Sequence, residues 1–168
     1  MTSDVEALTC DPLSSLDGEA FNQDIKNAPV RLVTEFSMRE QRVVIFYILY
    51  IADAFDYQAS IESVIDNVGK SFCLDIEPTS SVYKTAEAII NNREHLDDTI
   101  KPLLTNWRFE RLGVCTRLIL RYALWELEYT QTGPIIIINE AVELAKAFAE
   151  KDAYKFVNGI LDEAVKKE

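Results

Sequence analysis

Arg39 and Arg42 stand one helical turn apart just after Ser37, and Ser37-Met38-Arg39-Glu40 has the form of a capping box that opens a helix. Two guanidinium groups on one face near a helix N-terminus suit an anion, because side-chain charge and helix dipole act in the same sense. Phosphate is the chemistry this pattern fits; two solvated arginines on an exposed turn are the structural alternative. Arg117 and Arg121 repeat the spacing. Arg121 is expected to pair with Glu126 or Glu140 inside a helical bundle, and Arg117 to join a basic patch. His95 is the one histidine and lies near Asp97 and Asp98. A lone imidazole is a weak basis for a metal site or a general base, and the two acids are expected to serve as helix N-terminal charges. Trp107, Tyr122, Trp125 and Phe156 could stack on bases, but their helical spacing among aliphatic residues predicts core packing.

The elements that must position these groups read as helices. The first covers Arg39 to about Tyr57, and a second covers Gln58 to Val68 and stops at Gly69. Lys70 to Pro78 is a connector. Thr79, Ser80 and Ser81 offer caps for a helix to about Asn91, and another spans about Glu94 to Trp107 with Pro102 as a kink or break. A long helix follows from about Cys115 to Tyr129. Gly133-Pro134 then breaks the chain, and the proline can occupy a first helical position. Ile135 to Ile138 alone would suit a buried strand, but they run into Asn139, Glu140, Glu143 and Lys146 on the helical period. Ile135, Ile138, Val142, Ala145 and Ala149 would form the apolar face. Asp152 has the character of an N-cap for a last helix buried through Phe156, Val157, Ile160, Leu161 and Val165. Gly159 within it suggests close helix–helix approach. The architecture expected is an all-α domain, a compact bundle of about seven helices over residues 37–168, preceded by an acidic, flexible extension over 1–36.

Composition agrees with one domain: 168 residues, 48% hydrophobic, five glycines and five prolines. The net charge of −11 is unevenly placed, with seven acids and two bases in residues 1–37, so a basic face can still exist elsewhere. Cys10, Cys73 and Cys115 are scattered without a CxxC pattern, as expected for reduced thiols in a cytoplasmic protein. No signal peptide is evident, and the apolar run Val43 to Ala52 is too short to span a bilayer.

The ordered words of the C-terminal half carry more. They include Leu96-Asp97, Ile100, Trp107 with Glu110-Arg111-Leu112, then Leu120-Arg121, Ala123 and Glu126-Leu127. Pro134, Asn139-Glu140-Ala141, Glu143-Leu144-Ala145-Lys146, Phe148, Lys155-Phe156-Val157-Asn158-Gly159 and Leu161-Asp162 complete the set. This set resembles the signature of the NusB family of transcription antitermination factors, strongly over about 81–162 and more weakly over 37–68. The resemblance implies two packed helical subdomains and no cofactor or metal. It implies binding of the boxA element of ribosomal RNA operon leader or spacer transcripts together with the ribosomal protein NusE, within an RNA polymerase antitermination complex. The family's arginine-rich motif falls at Met38 to Arg42, where only Arg39 and Arg42 are basic. These two, with Lys146 and Lys155 at motif positions, are the expected RNA-binding residues. Asn139, Glu140 and Asn158 are polar motif positions expected either to be buried and hydrogen-bonded or to contact RNA or NusE; the structural role is favoured for Glu140, and Asn139 and Asn158 stay open. The exposed face of the helix from about Ser81 to Asn92 is a candidate surface for the protein partner.

Departures from the family pattern include Tyr47 for a glutamine, Ile45 at a small position, Thr116 for an aspartate, Gly133 for an acid and Trp125 for a tyrosine. Fewer arginines should weaken RNA binding and flatten its salt dependence. The alternative expectation is a protein-interaction module with weakened or masked RNA binding. Masking could come from the extension, or from a homodimer formed through the RNA-facing surface, as in some family members. NusB-like domains also occur fused to RNA methyltransferases, but this sequence has no Gly-rich cofactor loop or catalytic cysteine context, so no enzyme is expected.

Overall fold

The capping box forms. Ser37 Oγ accepts the Glu40 N–H at 3.3 Å, and the Glu40 carboxylate accepts the Ser37 N–H at 2.8 Å. These reciprocal bonds satisfy donors that a helix start leaves over and launch α1, Met38–Ala54. The structure is a computed structural model and describes residues 29–167. After α1 come α2 (Ile61–Phe72), α3 (Ser81–Asn91), α4 (Arg93–Ile100), α5 (Val114–Tyr129), α6 (Pro134–Phe148) and α7 (Ala153–Lys167). Helices α1 to α3 pack as one subdomain and α4 to α7 as another, with α1 lying against α5 at the joint. Ile48, Leu49, Leu118, Ile119, Leu120 and Leu161 are fully buried in the shared core. Each contributes about 1.5–3 kcal/mol relative to exposure.

Several boundaries differ from the sequence expectation for local reasons. Helix α2 starts at its Ser60 cap, runs through Gly69 and ends at Phe72. Cys73 takes the left-handed conformation (φ 53°) and its N–H closes onto the Gly69 carbonyl. Gly69 therefore does not stop the helix; it makes room, since a Cβ there would lie 2.8 Å from the Leu74 carbonyl oxygen. Pro102 is a break, not a kink. Helix α4 ends at Ile100 and a 3-10 turn, Lys101–Leu103, takes over, because proline lacks the N–H and collides with the preceding turn. Asp152 is left-handed (φ 66°), with its backbone carbonyl accepting the Lys155 N–H, and so lacks the extended backbone of an ordinary N-cap.

Residues 31–35, assigned above to the extension, join the fold. β1 (Arg31–Leu32) pairs in parallel with β2 (Leu74–Asp75) in register Arg31 to Leu74. Val33, in the following 3-10 turn, is buried in the core. The rest of the expected extension, through residue 28, lies outside the described residues, as does Cys10.

The run of isoleucines begins α6 with Pro134 at the first turn. Ile137 and Ile138 are buried, but Ile135 is 76% exposed and contributes nothing to the core. Gly159 also departs from expectation: it is exposed, with nothing within 4 Å of the place a Cβ would occupy. Asn139 and Asn158 are exposed, and Asn158 donates to Asp162 on its own helix at 2.9 Å. Of the aromatic residues predicted to be core, Tyr122 is buried and Trp125 and Phe156 pack partly against the core. Trp107 is 59% exposed and touches Phe156 edge-on, with ring centroids 5.6 Å apart.

Candidate nucleic-acid interface

The first turn of α1 brings Arg39 to the surface and points Arg42 inward. Arg42 lies against α5, where Nε and Nη2 donate to Glu126 Oε2 and Oε1 at 3.1 and 2.7 Å. Both side chains are sealed, at 6% and 9% exposure. Burial alone would depress the Arg42 guanidinium, but the hydrogen bond and charge of Glu126 outweigh it and leave the group raised. Tyr122 packs beside the pair; burial, with Glu126 adding, pushes its phenol far above the ordinary range. Arg42 is thus held as an internal strut in this arrangement.

Arg39 reaches α6 instead. Its Nε and Nη2 donate to Glu140 Oε2 and Oε1 at 3.1 and 2.6 Å. The guanidinium remains 65% exposed while Glu140 is only 15% exposed. The hydrogen bond from Arg39 holds the Glu140 carboxyl below the usual carboxylate range, with further help from the Arg39 and Arg42 charges.

Lys146 and Lys155 come together around a residue the sequence reading missed. Tyr154, at the start of α7, lies under both ammonium groups, 5.5 Å and 5.7 Å from the ring centroid. Each lysine also pairs within its own turn, Lys146 with Glu143 at 2.7 Å and Lys155 with Asp152 at 2.8 Å. The hydrogen bond to Asp152 raises the Lys155 ammonium. Along α6, Glu140 and Lys146 are six residues apart, about 9 Å of helix rise. They are also about 120° apart around the helix axis, so the Arg39–Glu140 pair and the Lys146–Tyr154–Lys155 group are separate features of α6. The only signal for Tyr154 in the sequence was its place beside Lys155.

The other arginines take partners different from those predicted. Arg121 forks onto Asp97 at 2.6 and 2.8 Å and donates to the Tyr57 hydroxyl at 2.7 Å, not to Glu126 or Glu140. The Tyr57 hydroxyl donates in turn to Asp53 at 2.8 Å, and burial pushes its phenol up to about 12. Arg117 holds Asp53 at 3.1 Å and is spent on that contact, so it joins no basic patch. Asp98 pairs with Lys101, and His95 Nε2 lies 2.9 Å from Glu128. Both Asp97 and Asp98 thus serve as ion-pair partners. Among the described residues no group of three or more His, Cys, Asp or Glu is placed to hold a metal ion. No helix there is long and apolar enough to cross a membrane.

This predominantly helical fold in two packed subdomains matches a solved T. maritima NusB, with TM-score 0.67 and 27% identity over 79% of this chain and 93% of that one. A chain in the crystal structure of a plectonemic RNA supercoil matches equally well, with TM-score 0.67 and 25% identity over 77% of this chain and 94% of that one. The NusB family model matches residues 31–166. A Staphylococcus haemolyticus (strain JCSC1435) transcription antitermination protein NusB is 38% identical over 128 residues, covering 74% of this chain and 96% of the relative. Its Macrococcus caseolyticus (strain JCSC5402) counterpart is 46% identical over 78 residues, covering 46% and 60%. The chain belongs to the NusB family, a non-enzymatic family of transcription antitermination proteins.

Proposed function

We propose that the protein is a transcription antitermination factor that binds boxA-type RNA of ribosomal RNA operon transcripts together with NusE, and promotes read-through by RNA polymerase in the cytoplasm. Family membership over residues 31–166 is the observation that carries this reading. Arg39 supplies the primary phosphate contact from the first turn of α1. Lys146 and Lys155 supply a second positive group, and the half-buried Tyr154 between them offers a ring against which a base can stack. Arg42 contributes through the joint it makes with Glu126. The outward face of α3 carries Ser81, Lys84 and Asn91, and is a polar candidate surface for the protein partner.

A second reading, a NusB-fold interaction module with weakened RNA affinity, draws support from one feature. Each of the four expected RNA-binding cations is already paired with a carboxylate. A titration against boxA-containing RNA and a scrambled control, with and without NusE at two salt concentrations, separates the two. Selective binding that strengthens with NusE and weakens in Arg39→Ala supports the antitermination factor. A folded protein without selective binding under either condition supports the interaction module.

A further inference from the structure

The ion pairs of the four expected RNA-binding cations are not equivalent. Arg42–Glu126 is buried, out of reach of any polyanion. Lys146–Glu143 and Lys155–Asp152 join exposed side chains three residues apart, and such surface pairs hold little net energy. Arg39–Glu140 differs from both. It links two helices, uses two parallel N–H···O bonds, and sets an exposed guanidinium on a largely covered carboxylate. A phosphodiester presents a similar two-oxygen edge to an arginine fork. Glu140 therefore covers the edge of Arg39 that an RNA phosphate would take. Glu140 also feels the Arg42 charge from inside the joint, the smallest of the influences that lower its carboxyl. Glu143, one turn further on, attracts Arg39 only through space.

We propose that Glu140 is a positioning residue that acts as an internal substitute for phosphate: its carboxylate holds Arg39 in reserve and must be displaced before Arg39 engages RNA. This rests on the RNA-binding reading above and adds a threshold to it. Glu140 restrains affinity for any RNA, whatever its sequence, because the competition is for a phosphate-binding edge and not for a base.

The test compares the full chain, Glu140→Gln, Arg39→Gln and the double variant, each with fixed NusE. Binding to boxA-containing and scrambled RNA is measured across a salt series, with thermal unfolding as the folding control. Glu140→Gln is expected to tighten binding to both RNAs about 3- to 10-fold, the scale of one exposed charge-assisted pair. The log–log salt slope should stay near the parent's, because Arg39 makes the same phosphate contact in both once Glu140 is displaced. In the Arg39→Gln background the gain should vanish. A folded Glu140→Gln that binds no more tightly than the parent overturns the proposal and leaves Glu140 a structural residue. If neither parent nor variant binds RNA, the RNA-binding reading falls and the proposal with it. Should Glu140→Gln not fold, Glu140→Asp draws the carboxylate back from Arg39 while keeping its charge near Arg42; a smaller gain is expected, and no gain overturns the proposal.

Discussion

Replacing Arg42 by methionine removes the positive half of a sealed ion pair while keeping most of the side-chain volume. Glu126, 9% exposed and beside the buried Tyr122, then loses the partner that its carboxylate is hydrogen-bonded to. Breaking one side of such a pair costs about 3–5 kcal/mol, most of it the penalty of the stranded charge. The cavity contribution is small because methionine fills the space of the arginine stem. For a domain of this size that corresponds to a fall of about 10–15 °C in Tm. Urea unfolding at neutral pH, followed by far-ultraviolet circular dichroism, measures the loss from the midpoint at constant slope. The double replacement Arg42→Met/Glu126→Leu should recover most of it, since an apolar pair of similar volume is often neutral relative to a buried ion pair. A loss below about 1 kcal/mol for Arg42→Met would refute the strut, as would a double variant no better than the single. An Arg42→Met protein of parental stability but poor RNA affinity would instead make Arg42 a direct RNA contact.

Gly159→Ala should stabilise the protein by about 0.5–1 kcal/mol in urea unfolding, because the site is helical and open and alanine is the better helix former. Gly113 caps α5 without a side chain, and the Glu150 carboxylate lies over it, accepting from Thr116 Oγ1 at 3.1 Å. Gly113→Ala would place a Cβ 1.7 Å from Glu150 Oε1 and evict it. Gly113→Ala and Glu150→Ala should therefore each cost about 1 kcal/mol, and the double variant far less than their sum. Acid should unfold the protein in part through Glu40 and Glu140. The Ser37 hydroxyl and N–H hold the first carboxyl below its usual range, and the Arg39 hydrogen bond holds the second. Their folded pKa values lie below the unfolded ones, so this stabilisation is complete above about pH 4.5 and lost as pH falls through the folded values. The urea midpoint should fall below about pH 4, and fall less steeply in Ser37→Ala.

Local signals were legible where one segment decides the outcome. The Ser37 box and the proline before four isoleucines each act within a turn or two and appear as read, and of the three caps offered before α3 it is Ser80 that serves. Gly69 was misread because its role depends on the Leu74 carbonyl, a contact that exists only after Cys73 turns left-handed. The arginine partners were hidden for a stronger reason. Glu126 and Glu140 were both recognised as acids near the bundle, but which arginine reaches which depends on how α1 crosses α5 and α6. Helical period says that Ile135 and Trp107 can share a face with core residues; it does not say where the neighbouring helix ends. Tyr154 had no pattern of its own and gains meaning only from two lysines brought over its ring.

The long reach of these ion pairs has a consequence for synthesis. Arg42 meets a partner 84 residues downstream, and Arg39 one 101 residues downstream. At about 5–20 residues per second, Arg42 is made about 4–17 s before Glu126. Until then Arg42, on the face of α1 destined for the joint, has only water as its partner. The N-terminal subdomain therefore cannot close over that arginine as it emerges; closure waits for α5, and the surface that presents Arg39 is completed only when α6 arrives. A nascent chain halted before α5 is a chain whose first helix still carries a hydrated charge on its inner side.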